Sequence, residues 1–169
     1  MILQEHHIFL LQGSNKENRK NNLENSLSLI SNNIGDILKK SSYFESQAWN
    51  MNKNTYPFYN RALHIKTHLN PISLLQEIHN IEFFIGRENK KKKEGYQDRE
   101  IDIDIIFYDN IIIHSSILTI PHPLFHLRRF ALEPMCEITP NKNHPIFNFT
   151  ILEILGLCLD KLKIKKINI

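Results

Sequence analysis

The sequence lacks the residues and segments that mark secreted and membrane proteins. It has only two cysteines, Cys136 and Cys158, and they do not form a C-x-x-C pair. This pattern favours a reducing compartment and argues against a metal-binding cysteine pair. Residues 1–12 lack a basic start followed by an apolar core, and no hydrophobic run approaches the length of a membrane span. We therefore expect a cytoplasmic protein with no membrane partner.

Two common nucleotide-binding motifs are also missing. The sequence contains neither G-x-x-x-x-G-K-[ST] nor G-x-G-x-x-G, so a nucleotide would have to bind without a Walker-type or kinase-type phosphate loop. The net charge of +3 suits an anionic small molecule but is too weak to indicate nucleic-acid binding. We expect small-molecule substrates and no nucleic-acid partner.

Length and composition predict one domain. The chain has 169 residues, of which 41% are hydrophobic. This is enough to bury one substantial core but makes a second domain unlikely on size alone. We therefore expect a single domain over residues 1–169. We also expect a monomer.

Apolar periodicity and turn residues predict alternating strands and helices. The predicted strands cover residues 6–12, 37–46, 58–68 and the segment around 102–104, with 111–113 as its hairpin partner. The predicted helices cover residues 22–34, closed by Gly35, then the segment from Asn70-Pro71 to Gly86, and finally about 150–162. This β-α-β-β-α-β order predicts an α+β fold, a ferredoxin-like α/β sandwich whose antiparallel sheet has helices packed on its faces.

Two acidic residues interrupt a segment that otherwise has the composition of a buried strand. Because side chains alternate along a strand, Asp102 and Asp104 project from one face, and the isoleucines beside them project from the other. Two like charges this close repel unless a cation lies between them, and oxygen ligands of this kind suit Mg²⁺. Without their surroundings, the two aspartates could equally be the exposed face of an edge strand.

Four basic residues could join the aspartates in a polyphosphate site. Arg87 follows the second predicted helix, Arg99 precedes the aspartate strand, and His122 and Arg128 lie in a proline-bounded segment after it. Phosphoryl-type transfer requires metal ions that bridge phosphate oxygens and guanidinium groups over the developing negative charge. The long polar loop around Trp49 is a further candidate for ligand contact.

Several motifs, taken in order, resemble one family over nearly the whole chain. They are Gly13-Ser14-Asn15, Phe58-Tyr59-Asn60, Gly86-Arg87, the R-x-I-D-I-D-I run at residues 99–105, and Thr119-Ile120-Pro121-His122 with Arg128 and Phe130. This set resembles 6-hydroxymethyl-7,8-dihydropterin pyrophosphokinase of folate biosynthesis. That family transfers a pyrophosphoryl group from ATP to the hydroxymethyl oxygen of the pterin. The resemblance implies the same activity here, with ATP as co-substrate and two Mg²⁺ ions as cofactors.

The resemblance also implies a role for each matching residue. Asp102 and Asp104 would hold the Mg²⁺ ions, and Arg87 and Arg99 would join them as catalytic residues. The residues implied in ATP binding are Arg87, Arg99, Thr119, His122, Arg128 and Glu82. Those implied in pterin binding are Gln47, Ala48, Trp49, Phe58, Asn60, Asp102, Phe130 and Tyr96. Phe58 rather than Tyr59 would face the pocket, because neighbours alternate along a strand.

The chain departs from the family pattern in two loops. It has Ser46-Gln47-Ala48-Trp49 where a Thr-Pro-Pro-like stretch is usual, Asn89 where a second arginine is common, and Tyr96 where tryptophan is common. These departures leave two alternatives open. One is a pterin- or nucleotide-binding paralogue with impaired turnover, and the other is a metal-dependent phosphodiesterase that uses the same aspartates.

Overall fold

The computed structural model of the protein describes residues 3–50, 54–86 and 98–169. Strands and helices are interspersed along these residues. The strands are β1 (His6–Ser14), β2 (Gly35–Lys40), β3 (Tyr43–Ser46), β4 (Phe58–Thr67), β5 (Asp102–Tyr108), β6 (Ile113–His114), β7 (Thr119–Ile120) and β8 (Ile164–Ile167). The helices are α1 (Arg19–Asn33), α2 (Pro71–Ile85), α3 (Arg129–Ile138) and α4 (Ile151–Leu157), and a short 3-10 helix covers Phe125–Leu127.

Six of these strands form one antiparallel sheet. Their order is β5-β1-β4-β3-β8, and β2 pairs with β4 on the same side as β3. An antiparallel sheet with helices on its faces confirms the predicted α+β class. β1 lies inside the sheet, and all nine of its residues pair with β4 while most also pair with β5. This strand therefore fixes the register between β4 and β5.

The predicted strand over residues 37–46 is two strands in the structure. β2 pairs with the second half of β4, and β3 pairs with its first half. Ser41 bridges the interruption, because its amide donates to the Ala62 carbonyl and its hydroxyl accepts from the Ala62 amide, both at 2.9 Å. The Ser41 hydroxyl replaces one backbone hydrogen bond between the strands, and this replacement does not change the pattern of apolar residues. The sequence therefore predicts one strand where the structure has two.

Gly35 has a different role from the predicted one. α1 ends at Asn33, and Gly35 is the first residue of β2 rather than the end of the helix. A Cβ at this position would lie 2.0 Å from the Lys66 carbonyl oxygen. Only glycine therefore lets β2 approach β4 this closely.

The second predicted helix is confirmed. The Asn70 side chain accepts hydrogen bonds from the amides of Ile72 and Ser73 at the start of α2, and Pro71 occupies the first helical position. At the other end Gly86 adopts a φ of +137°, which ends the helix. The sequence signals for start and end therefore agree with the structure.

The predicted hairpin after β5 is wrong. The turn at Asp109, which follows β5, is hydrogen-bonded to β1 instead, since the Asp109 amide donates to the His7 carbonyl at 2.7 Å. Of the predicted segment 111–113, only Ile113 enters a strand, and this strand, β6, pairs with β7 in a separate two-stranded sheet. The segment that contains His122 therefore begins next to β5 but outside the main sheet.

The last part of the chain also differs from the prediction. α4 begins where expected, with Thr150 and Glu153 forming a capping box, but it ends at Leu157, and residues 164–167 form β8 beside β3. α3 is absent from the prediction because it contains Pro134, and a proline usually ends or breaks a helix. Within the described residues, no helix has the length and apolar character needed to cross a membrane.

Each face of the main sheet has its own apolar core. α1 and α2 cover one face, where Ile8 and Leu10 of β1 are buried. α3 and α4 cover the other face, where Phe9 and Leu11 are buried. The isoleucines at positions 101, 103 and 105 belong to the first core. Side-chain alternation therefore directs Asp102 and Asp104 to the side of α3 and α4.

Candidate active site

The register of three strands places the polar residues of the site in neighbouring rows. Gly13 of β1 lies opposite Asn60 of β4 and opposite Asp102 of β5. Two residues earlier on β1, Leu11 lies opposite Asp104. Since directly opposed residues point to the same face of a sheet, Asn60 and both aspartates share the face that α3 and α4 cover.

A cavity lies on this face. The residues that line it are Leu11, Gly13, Ser46, Gln47, Trp49, Phe58, Asn60, Arg99, Asp102, Asp104, Arg128 and Phe130. The structure therefore brings together most of the site residues named from the sequence. Leu11, Gly13 and Ser46 have no predicted role, although Gly13 belongs to the motif Gly13-Ser14-Asn15. Leu11 is one apolar residue in a buried strand and gives no signal, whereas Ser46 directly precedes the predicted loop residues.

Two carboxylates form the charged end of the cavity. Arg99 Nη1 donates to Asp102 Oδ1 at 2.6 Å, and Arg128 Nη1 lies 3.9 Å from Asp104 Oδ2. Burial, followed by the charge of Asp102, raises the pKa of Asp104 to about 7. Burial opposes the charge of Arg99, but the neighbouring Asp102 carboxylate raises the pKa of Arg99 overall. A further cation near Asp104 would favour its ionised form.

His122 faces the same carboxylate, although it does not line the cavity. Its Nε2 lies 3.8 Å from Asp104 Oδ2. Its Nδ1 accepts a hydrogen bond from the Leu124 amide at 3.1 Å, which leaves the proton of the neutral ring on Nε2. The His122 amide donates to the Ile106 carbonyl at 3.1 Å and holds this segment against β5. Burial, followed by the charge of Arg128, lowers the pKa of His122 to about 4, so the ring is a neutral hydrogen-bond donor.

Three aromatic rings form the other end of the cavity, those of Trp49, Phe58 and Phe130. Beside them Asn60 Nδ2 donates to Ser46 Oγ at 2.8 Å, which fixes the orientation of the amide. A Cβ on Gly13 would lie 3.3 Å from Asn60 Oδ1 and 3.6 Å from the ring of Phe58. The glycine therefore keeps open the space between the amide and the carboxylates.

The two aromatic residues at the start of β4 point in opposite directions. Phe58 lines the cavity. Tyr59 packs against the core under α1 and α2, and the Arg19 guanidinium lies 3.7 Å from the centre of its ring. The alternation expected from the sequence is therefore present at this position.

Asn15 holds Arg99 in place, a role that the sequence did not predict. Its Oδ1 accepts a hydrogen bond from the backbone amide of Arg99 at 2.7 Å, and the backbone amide of Asn15 donates to the Arg99 carbonyl at 3.2 Å. Its Nδ2 donates to Asp98 at 2.6 Å. Asn15 is 1% exposed, so its side chain is shielded from water. The signal that could have found it is its place in the motif Gly13-Ser14-Asn15.

Several predicted residues lie apart from the cavity. Thr119 is in β7, and Ala48 lies between two lining residues without lining the cavity itself. Glu82 is buried on α2 and accepts a hydrogen bond from the Ile103 amide at 2.9 Å, so it supports β5. The two remaining predicted residues, Arg87 and Tyr96, lie outside the described residues.

The two ends of the cavity suit the two parts of one reaction. Flat rings beside an oriented amide bind a planar polar heterocycle. Guanidinium groups and hard carboxylates bind phosphate and a divalent cation. The fold and the cleft together fit the class of transferases that move a phosphate-containing group to an acceptor with a flat ring.

The chain belongs to the 7,8-dihydro-6-hydroxymethylpterin-pyrophosphokinase (HPPK) family, whose sequence model matches residues 9–140. It is 39% identical over 118 residues to a 2-amino-4-hydroxy-6-hydroxymethyldihydropteridine pyrophosphokinase of Aquifex aeolicus, a match that covers 70% of this chain and 71% of that protein. It is 30% identical over 134 residues to the protein of that name from Porphyromonas gingivalis, which covers 79% of this chain and 90% of that protein.

A solved structure of a longer protein has the same fold. The wild-type HPPK-DHPS of Plasmodium falciparum with pteroate matches 93% of this chain with a TM-score of 0.74 and 18% sequence identity. This chain spans 45% of that protein's chain. The likeness shows that the sandwich of this chain is the fold of one part of the larger protein.

Proposed function

We propose that the protein transfers the pyrophosphoryl group of ATP to 6-hydroxymethyl-7,8-dihydropterin and forms AMP and the pterin diphosphate, in folate biosynthesis. Membership of the family supports this activity. The observation that carries the proposal is the row formed by Asn60, Gly13 and Asp102 across three strands. This row joins the aromatic compartment to the carboxylates and arginines at which phosphate would bind.

The aromatic compartment would hold the pterin. The rings of Phe58 and Phe130 supply flat apolar faces for stacking, and the oriented Asn60 amide supplies hydrogen bonds to the edge of the heterocycle. A ring held in this way points its hydroxymethyl group along the row toward Asp102. The role of each residue is a proposal that substitution can test.

The charged end would hold ATP and carry the transfer. The hydroxymethyl oxygen attacks the β-phosphorus, the bond from that phosphorus to the oxygen bridging to the α-phosphorus breaks, AMP leaves and the hydroxyl proton passes to solvent. Arg99, Arg128 and His122 would donate hydrogen bonds to the phosphate oxygens and stabilise the charge that develops there. Arg87 remains a predicted member of this group.

Asp102 and Asp104 would hold Mg²⁺. Their oxygen ligands suit this ion, and its positive charge would favour the ionised form of Asp104, whose pKa burial and Asp102 raise to about 7. Within the described residues, no group of three or more His, Cys, Asp and Glu side chains could hold a metal. The two aspartates would therefore need water and ATP oxygens as further ligands, which is usual for Mg²⁺. When bound, the ion supplies positive charge at the phosphate oxygens.

Measuring AMP formation with ATP, Mg²⁺ and the pterin tests the proposal. We expect AMP and the pterin diphosphate to form in equal amounts, and we expect no AMP without the pterin. Release of nucleotide products without an acceptor would favour a metal-dependent phosphodiesterase. Tight pterin binding without AMP would favour a binding paralogue. A monomeric state and a cytoplasmic location stay predictions.

Replacing either aspartate by asparagine tests the metal site. Asp102→Asn and Asp104→Asn should each lower turnover at least about a thousandfold, because the site loses an anionic ligand. The melting temperature of Asp104→Asn should stay equal or rise, since the change removes a half-buried negative charge that is repelled by Asp102. The matched control is Asp36→Asn, whose side chain is 79% exposed on β2. Normal turnover in either site variant would contradict the assignment.

A further inference from the structure

The guanidinium group of Arg128 lies beside two aromatic rings. Its Cζ is 4.8 Å from the ring centre of Trp49 and 5.6 Å from that of Phe130. Its Nη1 is 3.9 Å from Asp104 Oδ2. Arg128 therefore stands where the aromatic compartment meets the carboxylates. A cation over an indole face is attracted by the ring quadrupole, and most strongly where water is excluded.

Arg128 and Trp49 reach this point from different elements. Arg128 directly precedes α3 and is 8% exposed. Trp49 is half-buried in the turn that follows β3, and the next residue, Asn50, adopts a left-handed φ of +55° that asparagine tolerates. The contact between indole and guanidinium therefore ties the turn after β3 to the start of α3.

We infer that Trp49 positions Arg128 for the phosphate path, in addition to forming a wall of the pterin compartment. The inference rests on the proposed function, because it assigns Arg128 to the phosphates of ATP. Trp49 acts through Arg128 and is a positioning residue, not a catalytic one. Its indole restricts the guanidinium to the side of the cavity that faces Asp104. The Arg128 side chain therefore loses less conformational entropy when a phosphate binds.

A bound phosphate should change the electrostatic environment of this contact. Arg128 Nη1 lies 3.9 Å from Asp104 Oδ2, on the side of the cavity where the proposed function places the ATP phosphates. ATP binding should therefore bring negative charge next to the guanidinium while the guanidinium stays over the Trp49 ring.

Fluorescence measures this contact directly, because Trp49 is the only tryptophan of the chain. In the absence of ligands, we expect Arg128→Gln to differ from the wild type in tryptophan emission. The matched control is Arg129→Gln, the same change one position along, where the guanidinium bonds to Asp160 and Glu133. It should keep the wild-type emission. Equal emission of Arg128→Gln and the wild type would overturn the inference.

Addition of ATP with Mg²⁺, without the pterin, extends this measurement. The emission of the wild type and of Arg129→Gln should change on saturation with ATP, since the negative charge of the phosphates comes to lie next to the guanidinium that the indole faces. The emission of Arg128→Gln should stay constant at ATP concentrations that calorimetry shows to be saturating for that variant. A full ATP response in Arg128→Gln would overturn the inference.

Binding constants give an independent test. Trp49→Leu should weaken ATP binding about tenfold, which corresponds to about 1.4 kcal/mol and is the size of a partly desolvated cation–π contact. Trp49→Phe keeps an aromatic face and should recover most of that affinity. The matched control is Phe58→Leu, which removes another ring from the same cavity. It should weaken pterin binding and leave the Kd for ATP within about twofold of the wild type, close to the scatter expected for residues that do not interact.

The outcomes separate this inference from the proposed function. If Trp49→Leu loses pterin affinity but keeps the wild-type Kd for ATP, the inference is overturned, and AMP formation by the wild type still supports the function. If the wild type neither binds ATP nor forms AMP, both are overturned. Circular dichroism of Trp49→Leu verifies that the variant is folded, as expected for a substitution in a surface turn.

Discussion

At the scale of single residues, Asn15 determines where Arg99 stands in the cleft. It bonds to both backbone groups of Arg99 and to Asp98. Asn15→Ala should cost about 1–3 kcal/mol of unfolding free energy, because a buried amide loses its partner. It should also lower kcat about tenfold, since a small displacement of a charged group in the cleft is costly. Urea unfolding and initial rates measure the two effects.

The control for this prediction is another asparagine nearby. Asn22 donates to Ser14 Oγ and to the Glu17 carbonyl on the first turn of α1, away from Arg99. Asn22→Ala should leave kcat within about twofold and stability within about 0.5 kcal/mol, as is usual for surface changes. An Asn15→Ala variant that is no worse than Asn22→Ala would contradict the role given to Asn15.

At the scale of secondary-structure elements, two glycines should respond oppositely to the same substitution. A Cβ on Gly35 would meet the Lys66 carbonyl oxygen at 2.0 Å, whereas a Cβ on Gly156 of α4 would meet nothing within 4 Å. Gly35→Ala should therefore destabilise the protein by more than about 1 kcal/mol, because β2 must move away from β4. Gly156→Ala should stabilise it by about 0.5–1 kcal/mol through helix propensity.

Thermal unfolding of the two glycine variants and the wild type measures this difference. The expected order of melting temperatures is Gly156→Ala highest and Gly35→Ala lowest. A Gly35→Ala protein as stable as the wild type would show that β2 is not held against β4 as described. A destabilised Gly156→Ala protein would show that α4 does not tolerate a side chain there.

The elements differ in how well the sequence alone predicts them. α2 is predictable because its start and end have local signals in Asn70-Pro71 and Gly86. α3 is not, because Pro134 within it contradicts the local rule and only packing on the sheet maintains the helix. β8 lies near the C-terminal end of the chain and pairs with β3. Its short, lysine-rich sequence does not by itself predict a strand, because the pairing partner is distant in sequence.

The same distinction applies to the candidate site. Alternation within a strand predicts that Asp102 and Asp104 share a face and that Phe58 rather than Tyr59 faces the pocket, whereas the role of Asn60 is implied by the family resemblance. The contact between Trp49 and Arg128 depends on how a turn and a helix start meet in space. No spacing in the sequence contains that information, so the structure is needed to identify it.

At the scale of the whole molecule, two histidines away from the site make stability depend on pH. Burial lowers the pKa of His64 and of His144 to about 4, and neighbouring His7 and His126 respectively add to the effect. An unfolded histidine has a pKa of about 6.5, so between that value and 4 the unfolded chain binds more protons. These two histidines should therefore contribute stability that is full above pH 6.5 and is lost as the pH drops toward 4.

Urea unfolding across this pH range measures the decline. His64→Phe should flatten it, because a phenyl ring takes up no proton and can keep the stacking on Phe9, whose ring centre is 4.3 Å away. His79→Phe, the same change at an exposed position, is the matched control and should keep the wild-type slope. An unchanged slope in His64→Phe would contradict the assignment.

The main sheet should also make the molecule unfold as one unit. β1 contributes Leu10 to the core on one face and Phe9 to the core on the other, so neither core can separate without loss of the strand. We expect Trp49 emission and far-ultraviolet circular dichroism to follow one transition in urea. This result would support the predicted single domain over residues 1–169, and two separate transitions would contradict it.

The row of Asn60, Gly13 and Asp102 has one more consequence, which concerns the length of the acceptor. Asn60 and Asp102 are two strands apart, and neighbouring strands lie about 4.8 Å from each other, so their backbones are about 10 Å apart. The backbone ladder sets this interval, and side-chain substitutions do not alter it. The sheet therefore fixes the distance between the ring site and the carboxylates. Pterin analogues with a longer or shorter chain between the ring and the hydroxyl should bind in the aromatic compartment but react slowly.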